Sequence, residues 1–140
     1  MNGDKIFLDT NILIYAYDRS AGAKHETAKA LVLDLWRSGH GMLSTQVLQE
    51  FFVTVTRKLR TPIARAQARE VVRAYAPWVV SPTTPETILR ATELSEAAGI
   101  DFWDALIVAA AEQSGAETLY SEDLNDGQLI AGVRIVNPLR

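Results

Sequence analysis

Residues 5–17 read KIFLDTNILIYAY, an apolar run that stops at an acid and then resumes. Ile6, Phe7 and Leu8 are typical of a short buried strand. Asp9 then lies at the carboxyl end of that strand, which is where open parallel sheets bind their ligands. This position predicts that Asp9 belongs to a functional site. The alternative is that Asp9 only caps the helix that begins near Asn11.

Three further segments place acids within or directly after apolar sequence. They are QVLQEFF (46–52) with Glu50, DFWDALIVAAA (101–111) with Asp101 and Asp104, and YSEDLNDG (120–127) with Glu122, Asp123 and Asp126. An unpaired ionised carboxylate in such surroundings costs on the order of several kcal/mol. The chain has no cysteine and two histidines, so a hard divalent cation held by carboxylate oxygens is the compensation that these residues suit best.

The composition favours one soluble globular domain over residues 1–140, with 48% hydrophobic and 22% charged residues. No apolar run reaches the roughly 18 residues that span a bilayer. The opening MNGDK lacks the basic-then-apolar pattern of a signal peptide. We therefore expect a cytoplasmic protein with no membrane contact. The absence of cysteine is consistent with a reducing compartment, and it excludes thiol catalysis and disulfides.

The distribution of charge is uneven. The net charge of −3 argues against a protein that coats nucleic acid non-specifically. Between Arg57 and Arg73, however, six basic residues lie against the single acid Glu70. Arg65, Arg69 and Arg73 are spaced by four and so form a stripe on one helix face. We expect this stripe to contact a polyanionic substrate, and a merely solvated helix face is the alternative.

Helical and strand patterns alternate along the chain. Helices are predicted at about 11–18, 23–38, 45–59, 64–75, 84–98 and 101–115, and strands at 6–8, 41–44, 78–81, 118–121 and 133–136. The last strand is expected at an edge of the sheet. This alternation predicts an α/β fold, a three-layer α/β/α sandwich with a mostly parallel sheet of four or five strands.

Each candidate acid has a second interpretation. Asp101 is a good N-cap for the helix that follows, and Asp104 lies three residues later on the same face, before seven apolar residues. Glu50 adjoins two phenylalanines, although an exposed position on an amphipathic helix would also explain it. Asp123 stands nearest to the end of the predicted strand, and Asp126 is the more distant competitor.

The elements LDTNILIYA, QVLQEF, DALIVAAA and YSEDLNDGQ, in this order, resemble the PIN-domain nucleases, and specifically the VapC toxins of bacterial toxin-antitoxin pairs. The likeness extends over residues 6–138. It implies a PIN-like fold and a magnesium- or manganese-dependent endoribonuclease. By this resemblance the chain would be the toxin component of a VapBC-type pair.

The resemblance also implies a site of four acids. Matched motif by motif, the catalytic acids fall on Asp9, Glu50, Asp104 and Asp123. Of these, Asp9, Asp104 and Asp123 are expected to bind the metal, with Asp101 and Asp126 near enough to compete. The polar residues expected to hold water, orient the acids or contact substrate are Thr10, Asn11 and Ser121.

The partners implied by the family are structured RNA, such as transfer RNA, a VapB-like antitoxin and a second copy of the chain. Trp36, Phe51 and Phe52 supply more aromatic surface than a small core needs. An exposed remainder would form a docking groove for the antitoxin. Core packing of each ring is the alternative.

The expected reaction is hydrolysis of a phosphodiester by a metal-activated water, which leaves 5′-phosphate and 3′-hydroxyl ends. His25 and His40 have no acid or hydroxyl partner nearby in sequence, so histidine acid-base catalysis is not expected. One alternative is a phosphatase of the haloacid-dehalogenase type, but that chemistry needs a second acid where this chain has Asn11. The other is a non-catalytic PIN-like module that binds RNA or protein.

Overall fold

The computed structural model describes residues 5–140. Residues 1–4, on which most of the signal-peptide argument depends, lie outside the described part. The strands are β1 (Ile6–Leu8), β2 (Gly41–Met42), β3 (Thr118–Tyr120), β4 (Leu129–Ile130) and β5 (Val133–Val136). The helices are α1 (Thr10–Tyr17), α2 (Ala23–Ser38), α3 (Thr45–Arg57), α4 (Arg65–Tyr75), α5 (Pro85–Ala98) and α6 (Phe102–Gln113). Within residues 5–140, none of these helices has the length and apolar character needed to cross a bilayer.

The strands form one sheet in the order β2-β1-β3-β5-β4. Every neighbouring pair is parallel except β4 and β5. From β1 the chain crosses to β2 on one side, and from β3 it continues to the strands on the other side. The carboxyl ends of β1 and β3 therefore border the crevice in which such sheets bind ligands. The predicted α/β fold with a mostly parallel five-stranded sheet is confirmed.

The pairing of β1 with β3 sets the position of the first acid. Phe7 and Leu8 are completely buried, and Leu8 stands opposite Tyr120. The ladder continues one residue further, because the Asp9 backbone N–H donates to the Tyr120 carbonyl at 2.9 Å. Asp9 and Ser121 thus leave the sheet side by side.

Helix α6 lies in the middle of the core. Residues 105–111 are buried all round, which agrees with their uninterrupted apolar sequence. The Asp101 side chain caps the helix by accepting from the Asp104 backbone N–H at 3.0 Å. A helix held this firmly fixes the direction of its first turn, which carries Asp104.

Two strand predictions are wrong. Residues 78–81 form no strand of the sheet; Trp78 ends a 3₁₀ turn, and only an isolated bridge joins Leu43 to Val79. The β-branched valines gave a strand signal, but Trp78 packs instead edge-on against Tyr75, with ring centroids 4.8 Å apart. Strand β5 also lies inside the sheet, because the two-residue strand β4 pairs with it and forms the edge.

Gly41 in β2 is the point where the sheet meets an aromatic cluster of Trp36, Tyr75 and Trp78. A Cβ atom at position 41 would overlap ring carbons of Trp78. Trp78 is buried and contacts both other rings, so it has little room to move away. Glycine is therefore required here by contact rather than by backbone conformation.

We expect Gly41→Ala to lower the free energy of unfolding by about 1–3 kcal/mol, the usual cost of overpacking a core. Urea denaturation of the two proteins measures the difference. In a Trp78→Leu background, which removes the facing ring, the same substitution should cost clearly less. An equal cost in both backgrounds would contradict the packing explanation.

Candidate metal centre

Three aspartates from separate parts of the chain converge at the crevice. Asp9 follows β1, Asp104 lies in the first turn of α6, and Asp123 follows β3. One carboxylate oxygen of each lies within 4.8 Å of the other two. Opposite oxygen ligands of Mg²⁺ are about 4.2 Å apart, since each bond is about 2.1 Å. Small side-chain adjustments would therefore let all three share one ion.

Asp9 is the most buried of the three, with 4% of its surface exposed. Its Oδ1 accepts from the Thr10 backbone N–H and its Oδ2 from the Ser121 hydroxyl, both at 2.7 Å. Burial raises the pKa of Asp9 to about 7, against the lowering effect of these hydrogen bonds. The charges of Asp123 and Asp104 raise it further. Asp9 therefore caps α1 and contributes to the acidic cluster at the same time.

Ser121 connects two of the acids. Its hydroxyl is fully buried, donates to Asp9 and accepts from the Asp123 backbone N–H at 3.1 Å. The serine thus fixes the start of the loop after β3 relative to the end of β1. Its role of orienting the acids in a working site stays a prediction.

Asp104 is partly buried, and burial raises the pKa of its carboxyl. The nearby charges of Asp101, Asp123 and Glu50 raise it further, in that order. Asp104 therefore lies among several negative charges, and a bound cation would relieve their repulsion. Asp101 itself is exposed and uses its Oδ1 to cap α6.

Glu50 lies in the same cavity but outside the group of three converging oxygens. Its Oε1 accepts from the Thr10 hydroxyl at 2.5 Å, and its Oε2 accepts from the Gln46 amide at 3.3 Å. The partly buried position excludes the exposed helix face that was the alternative for this residue. The hydrogen bond between Glu50 and Thr10 joins α3 to α1 on that side of the crevice.

The last acids of the chain separate into two roles. Asp126 lies away from the cluster, where it accepts from the Asn137 backbone N–H at 2.8 Å and lies 3.7 Å from the Arg140 guanidinium. Glu122 accepts from the Tyr15 hydroxyl at 2.7 Å and pairs with Lys24. These contacts tie the loop that carries Asp123 to α1 and α2.

The acids line an open cavity of about 520 Å³. Asn11 also lines it, and both polar atoms of the Asn11 amide are buried with no hydrogen-bond partner within residues 5–140. An unpartnered buried amide beside three carboxylates fits a hydrated cation, because Mg²⁺ keeps several of its waters and these need polar neighbours. The donor set and this amide both fit a divalent metal.

Among the lining residues that the sequence did not single out, two have side chains suited to contact a substrate. Lys58, at the end of α3, is the only basic residue among the described residues lining it. Trp103 lies directly before Asp104 and has 61% of its surface exposed. Lys58 had been counted only as part of the basic segment, and the solvent-facing direction of the Trp103 ring has no signature in the sequence.

Arg65, Arg69 and Arg73 are all exposed on α4 and do not line the acidic cavity. Arg73 pairs with Glu70 at 3.2 Å, and Arg69 borders an apolar groove between α3 and α4. Their contact with substrate therefore stays a prediction.

The three aromatic residues expected at a docking groove differ in exposure. Phe51 is completely buried in the core, so it offers no surface to a partner. Phe52 is partly buried. Trp36 is 43% exposed and lines a groove of about 560 Å³ that also contains Tyr17 and Leu33.

The family is decided by a match over most of the chain. The family model described as PIN domain matches residues 6–125, a span that includes Asp9, Glu50, Asp104 and Asp123. The chain belongs to the PIN-domain family. No curated protein sequence matches this PIN domain closely enough to count as a relative.

Three solved structures share the fold. One, a toxin-antitoxin complex from Klebsiella pneumoniae, matches with a TM-score of 0.68 and 21% identity, covering 96% of this chain and 98% of that one. VapC20 from Mycobacterium tuberculosis, described as a sarcin-ricin loop cleaving toxin, matches with a TM-score of 0.62 and 24% identity, covering 85% of this chain and 90% of that one. VapBC2 from Rickettsia felis, bound to promoter DNA, matches with a TM-score of 0.58 and 17% identity, covering 93% of this chain and 96% of that one. At these identities the likeness establishes the fold alone.

The raised pKa of Asp9 predicts how the stability of the metal-free protein depends on pH. Between the ordinary value of 3.8 and about 7, the folded state binds more protons than the unfolded state. The free energy of unfolding should therefore fall as the pH rises through this window, by up to about 4 kcal/mol. Thermal or urea denaturation in EDTA from pH 4 to 8 measures this.

Asp9→Asn should flatten that dependence and stabilise the metal-free protein at pH 8, because asparagine keeps the cap without the charge. The matched control is Asp126→Asn, which changes an acid outside the cluster and should leave the slope as it is. An Asp9→Asn protein with the slope of the parent would show that Asp9 is not the group responsible.

Proposed function

We propose that this PIN domain is a metal-dependent endoribonuclease and the toxin component of a VapBC-type pair. The observation that carries the proposal is the convergence of Asp9, Asp104 and Asp123 within 4.8 Å. Asp9 is buried, Asp104 partly buried and Asp123 exposed, so holding their three charges together is costly mainly at Asp9, and a binding module would gain nothing from it. The PIN family match and the VapC-like fold support the same chemistry.

The cation that suits this donor set is Mg²⁺ or Mn²⁺, held by the three aspartates. When bound, such an ion lowers the pKa of a water and stabilises the negative charge that develops on the phosphate. Asn11 offers both a donor and an acceptor to waters or to a phosphate oxygen. Thr10 and Glu50 hold the opposite wall of the cavity, and Ser121 keeps Asp9 and Asp123 in register.

The proposed partners follow the same reasoning. The Klebsiella and Rickettsia structures are complexes of a toxin with its antitoxin, and we propose a VapB-like antitoxin for this chain. The exposed part of Trp36 lies in the groove beside α2, which is the surface available for that partner. A second copy of the chain is also proposed, as are transfer RNA or other structured RNAs as substrates.

Asp104→Asn and Asp123→Asn should each lower metal-dependent cleavage of RNA by about 100-fold or more, because each removes a metal ligand worth several kcal/mol. Circular dichroism should show the fold intact. The activity of purified proteins is measured on a pool of structured RNAs with Mg²⁺ and with Mn²⁺. Asp126→Asn is the matched control and should remain active.

The products provide a second criterion. Attack by water leaves a 5′-phosphate and a 3′-hydroxyl, which mass spectrometry and ligation of the fragments identify. Cyclic phosphate ends would contradict this route. If calorimetry detected no Mn²⁺ binding at millimolar concentration, the non-catalytic module would be the better explanation.

Charge reversal at Arg65, Arg69 and Arg73 tests the proposed RNA contact of α4. The triple glutamate variant should raise the KM for RNA and flatten its dependence on salt, with the logarithmic slope reduced by up to about one unit per lost phosphate contact. Charge reversal at Arg37 on α2, which is also exposed, serves as the comparison. If the KM and its salt dependence were unchanged in the triple variant, the arginine stripe would be a solvated helix face that does not contact RNA.

A further inference from the structure

Trp103 presents a large apolar surface at the mouth of the acidic cavity. Its side chain is 61% exposed, and it lines the same cavity as Asp9, Asp104 and Asp123. An exposed indole is expensive to keep in water, and the neighbouring Phe102 is more buried. The ring therefore lies where a bound substrate would cover it.

The ring is also held in place before any substrate arrives. Its backbone belongs to α6, which is anchored by the buried residues 105–111. Phe102 packs edge-to-face against it, with ring centroids 5.1 Å apart. The Trp103 carbonyl accepts from the Gln46 amide at 3.3 Å. Because the indole is already held in place, a ligand that covers it loses little free energy to ordering the side chain.

We propose that Trp103 is a stacking platform for a nucleobase next to the cleaved phosphate, so that this site selects unpaired RNA over continuous duplex. This inference rests on the proposed nuclease function. Every nucleobase has a flat face that stacks on an aromatic ring, but in a duplex both faces are covered by neighbouring bases. Only a loop, bulge or single strand can turn a base onto the indole.

The charges of the cavity wall favour such a contact. The cavity contains four carboxylates, Asp9, Glu50, Asp104 and Asp123, and the single cation Lys58 among its described lining residues. Ionic contacts alone give a polyanion weak attraction to such a wall. Stacking does not depend on charge, so Trp103 supplies affinity where ionic contacts are poor, and Lys58 is placed to contact a flanking phosphate.

The experiment compares Trp103→Tyr, which keeps a flat ring, with Trp103→Leu, which keeps apolar surface but no π-face. Leu89→Ala is the control for an exposed apolar residue, because Leu89 is 62% exposed and lies on α5 away from the cavity. Cleavage is measured as kcat/KM on a hairpin RNA cut in its loop, and on the same RNA with an abasic site next to the cut. Calorimetry of Mn²⁺ binding accompanies each variant.

Trp103→Leu should lower kcat/KM by about 5- to 100-fold, the range expected for the loss of one stacked base. Trp103→Tyr should retain most activity, and Leu89→Ala should retain all of it. The abasic site should lower kcat/KM for the parent protein, but it should lower kcat/KM little further in Trp103→Leu. Mn²⁺ affinity should be the same in every variant.

Equal losses for leucine and tyrosine, or an abasic penalty that persists in Trp103→Leu, would overturn the proposal. So would normal RNA cleavage in Trp103→Leu accompanied by loss of self-association or of antitoxin binding, since the ring would then belong to a protein interface. A change in Mn²⁺ affinity would assign the ring to the metal site instead.

A binding measurement distinguishes failure of the nuclease proposal from failure of the stacking proposal. If the parent protein cuts no RNA, tryptophan fluorescence is titrated with a single-stranded oligonucleotide and with a duplex of the same sequence. Quenching by the single strand that disappears in Trp103→Leu supports the platform without catalysis. Equal quenching in both proteins, or none, overturns it.

Discussion

The buried carboxylate of Asp9 is the group on which the arrangement of the candidate site depends. It lies at the end of β1, accepts one hydrogen bond from its own helix and one from Ser121, and still has a pKa raised by burial. Two hydrogen bonds therefore do not fully replace the lost hydration. The remaining cost can be relieved by a proton, as the raised pKa shows, or by the divalent cation proposed for this crevice.

The helices packed on the sheet provide the stability that this arrangement requires. The strands are only two to four residues long, so the sheet alone is a weak scaffold. Helix α6 is buried all round, and the bidentate contact of Arg90 with Glu112 joins it to α5. An apolar core of this kind can hold Asp104 next to other acids although their charges repel. Strain at a functional site that is supported by the surrounding fold is a general pattern.

The sequence predicted those features that depend on local chemistry. The strand before Asp9, the helix before Gly39 and the apolar body of α6 each have a pattern or a cap that no other structure satisfies as well. The errors lie where tertiary contacts decide. Residues 78–81 have strand-forming valines but follow an aromatic cluster, and β4 is too short to carry any periodicity. Asp101 and Asp104 share a helix face, and only the structure shows that Asp101 is used as the cap.

The sequence points to the acids of the candidate site and to the polar neighbours Thr10, Asn11 and Ser121, but not to Lys58 or Trp103, and the reason is physical. An acid within apolar sequence stands out because burial would make its charge costly, although the exposed Asp101 shows that such an acid need not be buried. Nothing in the sequence shows that Trp103 is exposed or that Lys58 differs from the basic residues around it, and both are singled out only because folding places them at one cavity. The arginines of α4 show the converse, since their regular spacing is conspicuous and yet they lie outside it. At physiological salt the field of an exposed charge is screened over about 8 Å, so these arginines would act on a polyanion mainly where it passes close to α4. In the proposed nuclease, direct contact with a base beside the cleaved phosphate would therefore come from groups at the mouth of the cavity, such as Trp103.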